Sequence, residues 1–292
     1  MNVSTEPMSL EHVEKKFLAD AEARNLRPAT LYKYRLVLKQ LKEFGDKRGL
    51  FLIANFDVDA LRDFRVSWKN KNLSASKKLG HLKTFFQFCI DSGYIRDNPT
   101  RAIKSPKIED PPVLPLSDDE MKKILTACNT HPDAERGTQL KALVLLMRYS
   151  GLRIGDTCTL HRNRIDGKGM LDLYTAKSGT KVRLPVNPVA LKALKRVPQT
   201  NDYFFWNGTS TRKTCTNIWQ DEFSKMCARA GIKAHSHQLR HAFAVDLLQH
   251  GVSMENVSLL LGHRRISITE RFYANFTLGR QKSLEADVRK TW

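Results

Sequence analysis

The sequence predicts a mainly α-helical chain in two parts, with one small antiparallel β-sheet in the second part. Three observations carry this. Apolar residues recur at helical spacing from residue 10 to about residue 98. Prolines 99, 106, 111, 112 and 115 then interrupt any helix. Beyond them, two short β-rich runs flank Lys177-Ser178-Gly179-Thr180, the pattern of a hairpin.

In the first part, Val13, Phe17, Ala21 and Ala23 mark one helix. Leu31, Tyr34, Leu38, Leu41 and Phe44 mark a second, with Gly45 and Gly49 expected to break it. Asp57 N-caps a third helix over Val58 to Trp68. A fourth covers about Ser74 to Asp91, with Gly93 just past its end. These four helices make a compact all-α domain over residues 1–110. The prolines predict an extended linker at about 99–115, with the boundary near residue 112.

The second domain, 113–292, opens with Ser117 as N-cap of a new helix. A buried helix follows over Leu140 to Tyr149, then strands over Leu171 to Thr175 and Lys181 to Val186. Helices are expected at Thr216 to Ala230, Gln238 to His250, Ser253 to Leu261 and Leu278 to Arg289.

Across 292 residues, 49 Lys and Arg face 30 Asp and Glu, a formal net charge of +19. Such a charge favours a polyanionic partner, nucleic acid or an acidic membrane surface. No amphipathic anchor supports the membrane. The N-terminus, MNVSTEPMSL, lacks the pattern of a secretory signal, and no apolar run reaches the ~18 residues of a transmembrane helix. The five cysteines (Cys89, Cys128, Cys158, Cys215 and Cys227) are scattered and form no C-x-x-C pair. Reduced, packed thiols in a cytoplasmic protein are therefore expected, without a cysteine-held metal.

Four segments carry chemistry. They are Gly151-Leu152-Arg153-Ile154-Gly155-Asp156, Ala176-Lys177-Ser178-Gly179, His237-Gln238-Leu239-Arg240-His241, and Leu260-Leu261-Gly262-His263, followed by Phe272-Tyr273. Singly, each has an ordinary explanation: a solvated arginine, a turn lysine, a helix C-cap glycine, a core tyrosine. Together they make a set for attack on a phosphodiester without metal. Arg153 and Arg240 supply forked, permanently charged donors for the non-bridging oxygens. His237 and Arg240, three apart, share one helix face. Tyr273 is a nucleophile that needs help to lose its proton, and Lys177 on the hairpin is a general acid for the leaving oxygen.

This constellation resembles the tyrosine recombinases, the phage integrase family, over nearly the whole chain. Arg153 matches the first arginine box, Lys177 the β-hairpin lysine, His237 and Arg240 the H-x-L-R-H box, His263 the L-G-H box, and Tyr273 the nucleophile. Asp156 stands where the family more often has Glu, and a supporting role for the arginine helix is expected to survive.

The resemblance implies an N-terminal four-helix core-binding domain and a mixed α+β catalytic domain that clamp duplex DNA. It implies a site-specific recombinase that forms a 3′-phosphotyrosyl bond with no cofactor, metal or ATP. A homotetramer on paired double-stranded DNA sites follows as the working assembly, acting in the cytoplasm, at the nucleoid in a bacterium. With the helical module starting near residue 10, no separate arm-binding domain is expected. That favours a mobile-element integrase or a Xer-like resolvase.

Rival readings are a type IB topoisomerase-like enzyme, a catalytically silent DNA-binding protein of the same fold, and a metal site at His235, His237 and His241. The last lacks the Glu of the metalloprotease pattern, since Gln238 follows His237. The segment Leu278 to Trp292 either docks on a neighbouring subunit or packs on its own domain.

Overall fold

The computed structural model describes residues 7–69, 71–108, 114–277 and 285–291. The chain divides into two compact units, Met1–Asp110 and Pro111–Trp292. Among the described residues no helix is long and apolar enough to cross a membrane.

The described residues of the first unit form four α-helices: α1 (Leu10–Ala23), α2 (Pro28–Asp46), α3 (Val58–Val66) and α4 (Asn72–Asp91). Ser9 and Asp57 cap α1 and α3 by accepting backbone N–H groups with their side chains. Phe17, Leu38, Leu41, Phe64, Leu82 and Phe86 form the core, each almost fully buried. Gly45 does not break α2, which runs through it to Asp46. A Cβ at Gly45 would lie 2.6 Å from the Leu50 carbonyl oxygen and 2.8 Å from the Phe56 ring. The glycine is there for that close approach.

The expected linker also begins later than residue 99. Pro99–Ala102 forms a 3-10 turn whose cap, Asn98, accepts the Thr100 N–H at 3.0 Å. Proline suits the first position of such a turn, where its missing N–H leaves nothing unsatisfied. Ile103, just beyond, is buried in the first unit's core. Residues 109–113, in the middle of the expected linker, lie outside the described residues.

The second unit contains α5 (Asp118–Asn129), α6 (Ala134–Ser150), α7 (Ile154–Cys158), β1 (Met170–Tyr174), β2 (Lys181–Pro185), α8 (Pro188–Leu194), α9 (Arg212–Arg229), α10 (His237–Gln249), α11 (Met254–Leu260) and α12 (Ile266–Tyr273). Ser117 and Glu120 cap α5 reciprocally, each side chain accepting the other's backbone N–H. The two strands pair antiparallel, from Met170 opposite Pro185 to Tyr174 opposite Lys181. In β2 buried Val182 and Leu184 alternate with exposed Lys181, Arg183 and Pro185.

Helix α6 is the spine of this unit. Leu140 and every residue from Ala142 to Met147 are buried. It starts six residues before the expected Leu140, because Asp133 caps it and polar side chains cover its first turns. Helices α8 and α12 were not expected from the sequence. The former is signalled by Asn187-Pro188, a capping side chain followed by a first-turn proline. All five cysteines are buried and free. Of the expected final helix, residues 285–289 are helical, while 278–284 and 292 lie outside the described residues.

Candidate active site

The site is assembled from helix ends and one hairpin tip. Helix α6 stops at Gly151, whose backbone is left-handed (φ +64°). A Cβ there would stand 2.4 Å from the Phe243 ring, so the turn needs glycine for space as well as for conformation. The turn delivers Arg153 to the N-cap of α7. Among the described residues the Arg153 Nη1 is buried and has no hydrogen-bond partner. An unpartnered buried donor is costly unless a ligand completes it.

Arg240 lies on α10 and is 2% exposed. Its Nη1 donates to the Gly151 carbonyl and its Nη2 to the Leu261 carbonyl, both at 2.6 Å. Nη2 also lies 2.9 Å from His263 Nε2. The guanidinium can only donate, so His263 accepts through Nε2. Its proton is then on Nδ1, which bonds Thr269 Oγ1 at 2.8 Å. His263 is thereby held neutral. Burial, with Arg240 and Arg153 nearby, pushes its pKa down to about 3. Burial and Arg153 also lower the Arg240 pKa, to about 9, which leaves it charged at neutral pH.

Tyr273 ends α12 and is 2% exposed. Its hydroxyl lies 2.6 Å from His241 Nδ1, and His241 packs edge-on against His237, ring centroids 4.8 Å apart. Burial raises the Tyr273 pKa to about 12 against the opposing pull of Arg240 and Arg153. Burial, His235 and Arg240 push His241 down to about 4, and burial with His241 and both arginines also lowers His237. The tyrosine is therefore both things the sequence allowed, a core side chain and a member of the cleft. The histidine on its hydroxyl is His241, which the sequence alone singles out only as a candidate metal ligand. Among the described residues no group of three or more His, Cys, Asp or Glu is placed to hold a metal ion.

The hairpin tip carries Lys177 between β1 and β2. Asp156, 6% exposed, reaches it from α7: its Oδ1 accepts from the Ala176 N–H and from Arg212 Nη2, each at 2.9 Å. Asp156 thus fastens α7 to the hairpin and to α9, rather than bonding Arg153 directly. On the opposite side, Ser178 Oγ donates to the Gly262 carbonyl at 2.8 Å, and Arg264 Nε donates to the Ser178 carbonyl at 2.8 Å. Gly262 is left-handed (φ +63°), and a Cβ on it would meet Thr175 Cγ2 at 2.9 Å. Its role exceeds a helix C-cap, because the hairpin rests against it.

Arg153, Lys177, His237, Arg240, His263 and Tyr273 all line one cleft of about 690 Å³. Leu114, Ile268 and Phe272 form its apolar wall, and His235, Gln238, His241 and Arg264 share its rim. Gln238 Nε2 donates to the Leu114 carbonyl at 3.1 Å while its Oε1 accepts the His235 N–H, which ties the start of the unit to the H-x-L-R-H box. Four positive side chains, a tyrosine hydroxyl and one guanidinium nitrogen unsatisfied among the described residues fit a phosphate group and a nucleophile for it.

The chain is similar in sequence and in fold to known proteins. The chain is 27% identical over 261 residues to tyrosine recombinase XerC of Escherichia coli, covering 85% of this chain and 86% of that protein. The fold is similar to a lambda integrase dimer bound to a COC′ core site (TM-score 0.72, 19% identity, 91% of this chain and 77% of that one). It is also similar to a lambda integrase tetramer bound to a Holliday junction (TM-score 0.72, 19% identity, 94% and 78%). A Tn1549 transposon integrase in complex with transposon right end DNA matches at TM-score 0.72 and 16% identity over 97% of this chain and 100% of that one. The phage integrase family model matches residues 115–278, the stretch that holds every residue of the cleft but Leu114. With more than half of its length under that model, the chain belongs to the phage integrase family.

Proposed function

We propose that this chain is a site-specific DNA recombinase that cuts and rejoins duplex DNA through Tyr273, without metal or ATP. The observation that supports it most is the buried Arg153 Nη1, without a partner among the described residues, in the cleft shared with Arg240, Lys177 and Tyr273. Arg153 and Arg240 bind the non-bridging oxygens of one phosphate, and Arg240 is pre-set by its two carbonyl partners. Tyr273 gives up its proton to a cleft histidine and attacks phosphorus. The bond to the 5′-oxygen breaks, Lys177 Nζ protonates that oxygen, and a 3′-phosphotyrosyl link and a 5′-hydroxyl result. A 5′-hydroxyl of the partner duplex then reverses the step. The energy of the broken bond is kept in the covalent link. His263, neutral, accepts from Arg240 through Nε2 and directs its one N–H at Thr269 rather than into the cleft, so it serves as an acceptor that orients the guanidinium.

Tyr273 lies buried against His241, so the cleavage-competent geometry needs the hydroxyl to leave that partner and meet the phosphate. The first unit serves as a core-binding domain, and the net charge of +19 supplies phosphate contacts with steep salt dependence. The working assembly is four protomers on two duplex sites, as the dimeric and tetrameric DNA complexes of lambda integrase suggest. Its place of action is the cytoplasm, on chromosomal or mobile-element DNA.

The test is trapping on a nicked duplex that carries the recombination site from the DNA flanking its gene. Wild type forms a covalent complex in EDTA. Tyr273→Phe binds but forms none. A covalent complex surviving in Tyr273→Phe would sink the assignment. Relaxation of supercoiled plasmid without any target site, and no recombination, would replace it with topoisomerase activity.

A further inference from the structure

The hairpin that carries Lys177 has two neighbours that hold it at a fixed place. Its base is held by Asp156 through the Ala176 N–H. Its tip is held by a clasp formed by Ser178 and Arg264. Ser178 Oγ donates to the Gly262 carbonyl at 2.8 Å and accepts from Thr175 Oγ1 at 2.6 Å. Arg264 Nε donates to the Ser178 carbonyl at 2.8 Å, next to Lys177 in the chain. Gly262 and Arg264 flank His263, so the segment that orients Arg240 also grips the hairpin tip.

Without those bonds the tip would be a short exposed turn. Lys177 is exposed, its tip residues Ala176 and Gly179 are exposed, and β2 presents only Val182 and Leu184 to the core. A long flexible ammonium side chain on such a turn loses most of its effective concentration unless the backbone is fixed.

We propose that Arg264 is a positioning residue for the Lys177 general acid, acting through the Ser178 clasp. Arg264 registers the hairpin tip against the His263 segment, so that Lys177 Nζ meets the leaving 5′-oxygen whenever the arginines hold the phosphate. The proposal rests on the reading of Lys177 as the general acid.

The experiment compares an ordinary nicked substrate with one whose scissile 5′-oxygen is replaced by sulfur. A thiolate leaves without a proton, so a variant that has lost only proton delivery is restored on the sulfur substrate. Single-turnover cleavage is measured for Lys177→Ala, Arg264→Ala and Ser178→Ala, with DNA affinity and thermal melting of each protein. Arg264→Ala is expected to lose about 10- to 100-fold on the ordinary substrate, the scale of a displacement near 1 Å. It should return to within about threefold of wild type on the sulfur substrate, with unchanged affinity. Ser178→Ala should behave alike.

If Lys177→Ala is not restored by sulfur, the general-acid reading itself fails. If Lys177→Ala is restored but Arg264→Ala is not, the clasp proposal is overturned, and loss of affinity in that variant assigns Arg264 to a direct phosphate contact. Wild-type cleavage of the ordinary substrate by Arg264→Ala overturns it as well.

Discussion

Gly262→Ala separates two effects that a glycine can have. Its φ of +63° is a left-handed conformation, which costs an L-residue about 1–2 kcal/mol. Its added Cβ would also stand 2.9 Å from Thr175 Cγ2 and 3.1 Å from Val182 Cγ2, inside the contact distance of real methyl groups. Both neighbours are packed, since Thr175 is 2% and Val182 1% exposed, so relief requires the hairpin to move. Overpacking of this kind costs about 1–3 kcal/mol.

The sum is about 2–5 kcal/mol. Gly231 provides the control: its φ is +67° and nothing lies within 4 Å of its Cβ position. Gly231→Ala should cost only the conformational part. Denaturant unfolding of both variants gives the difference, expected at about 1–3 kcal/mol. Cleavage of a nicked site by Gly262→Ala should fall with it, because the displaced hairpin carries Lys177. Equal destabilisation by the two substitutions, with normal cleavage by Gly262→Ala, would refute the close-approach account of the L-G-H glycine.

Arg153→Lys keeps one positive charge and loses the fork. DNA affinity should change little while single-turnover cleavage falls about 10²–10³-fold, and an unaffected rate would remove Arg153 from the phosphate site. Asp156→Ala should destabilise the protein by about 1–3 kcal/mol, because the Ala176 N–H and Arg212 both lose the buried carboxylate that accepts from them. It should also slow cleavage, and normal unfolding would show that the Asp156 bridge is unimportant. His263 and His241 have folded pKa values pushed down to about 3 and about 4 from 6.5, so the unfolded chain binds more protons between those limits. Stability should therefore be full above about pH 6.5 and fall as acid is added. Urea midpoints across that range measure it. Replacing His263 by Asn should flatten the slope, and an unchanged slope would mean that this histidine is not held neutral.

Much of the site was legible before any fold was known. The order Arg153, Lys177, His237, Arg240, His263, Tyr273 is a linear pattern of side-chain types whose chemistry is fixed by the residues themselves. The helices of the first unit were also readable, because an apolar stripe of period 3.6 is local information. Helix α12 was hidden by its short length and by the aromatic pair at its end. The behaviour of Gly45 was hidden because a glycine's effect on a helix depends on what stands against its missing Cβ, and Phe56 lies eleven positions on.

The same division separates sequence from tertiary structure throughout this protein. The sequence by itself determined the two-part helical architecture, the basic character and the list of reacting groups. Only the tertiary structure decided their states. It set the tautomer of His263 through Arg240, and it put Tyr273 on His241 rather than on His237. It gave Asp156 to the hairpin, and it left Arg153 Nη1 without a partner among the described residues. The physical reason is range. Helix periodicity and side-chain chemistry are properties of a few neighbouring residues. Protonation, hydrogen-bond partnership and steric room depend on segments 20 to 90 positions apart that meet only in the folded chain.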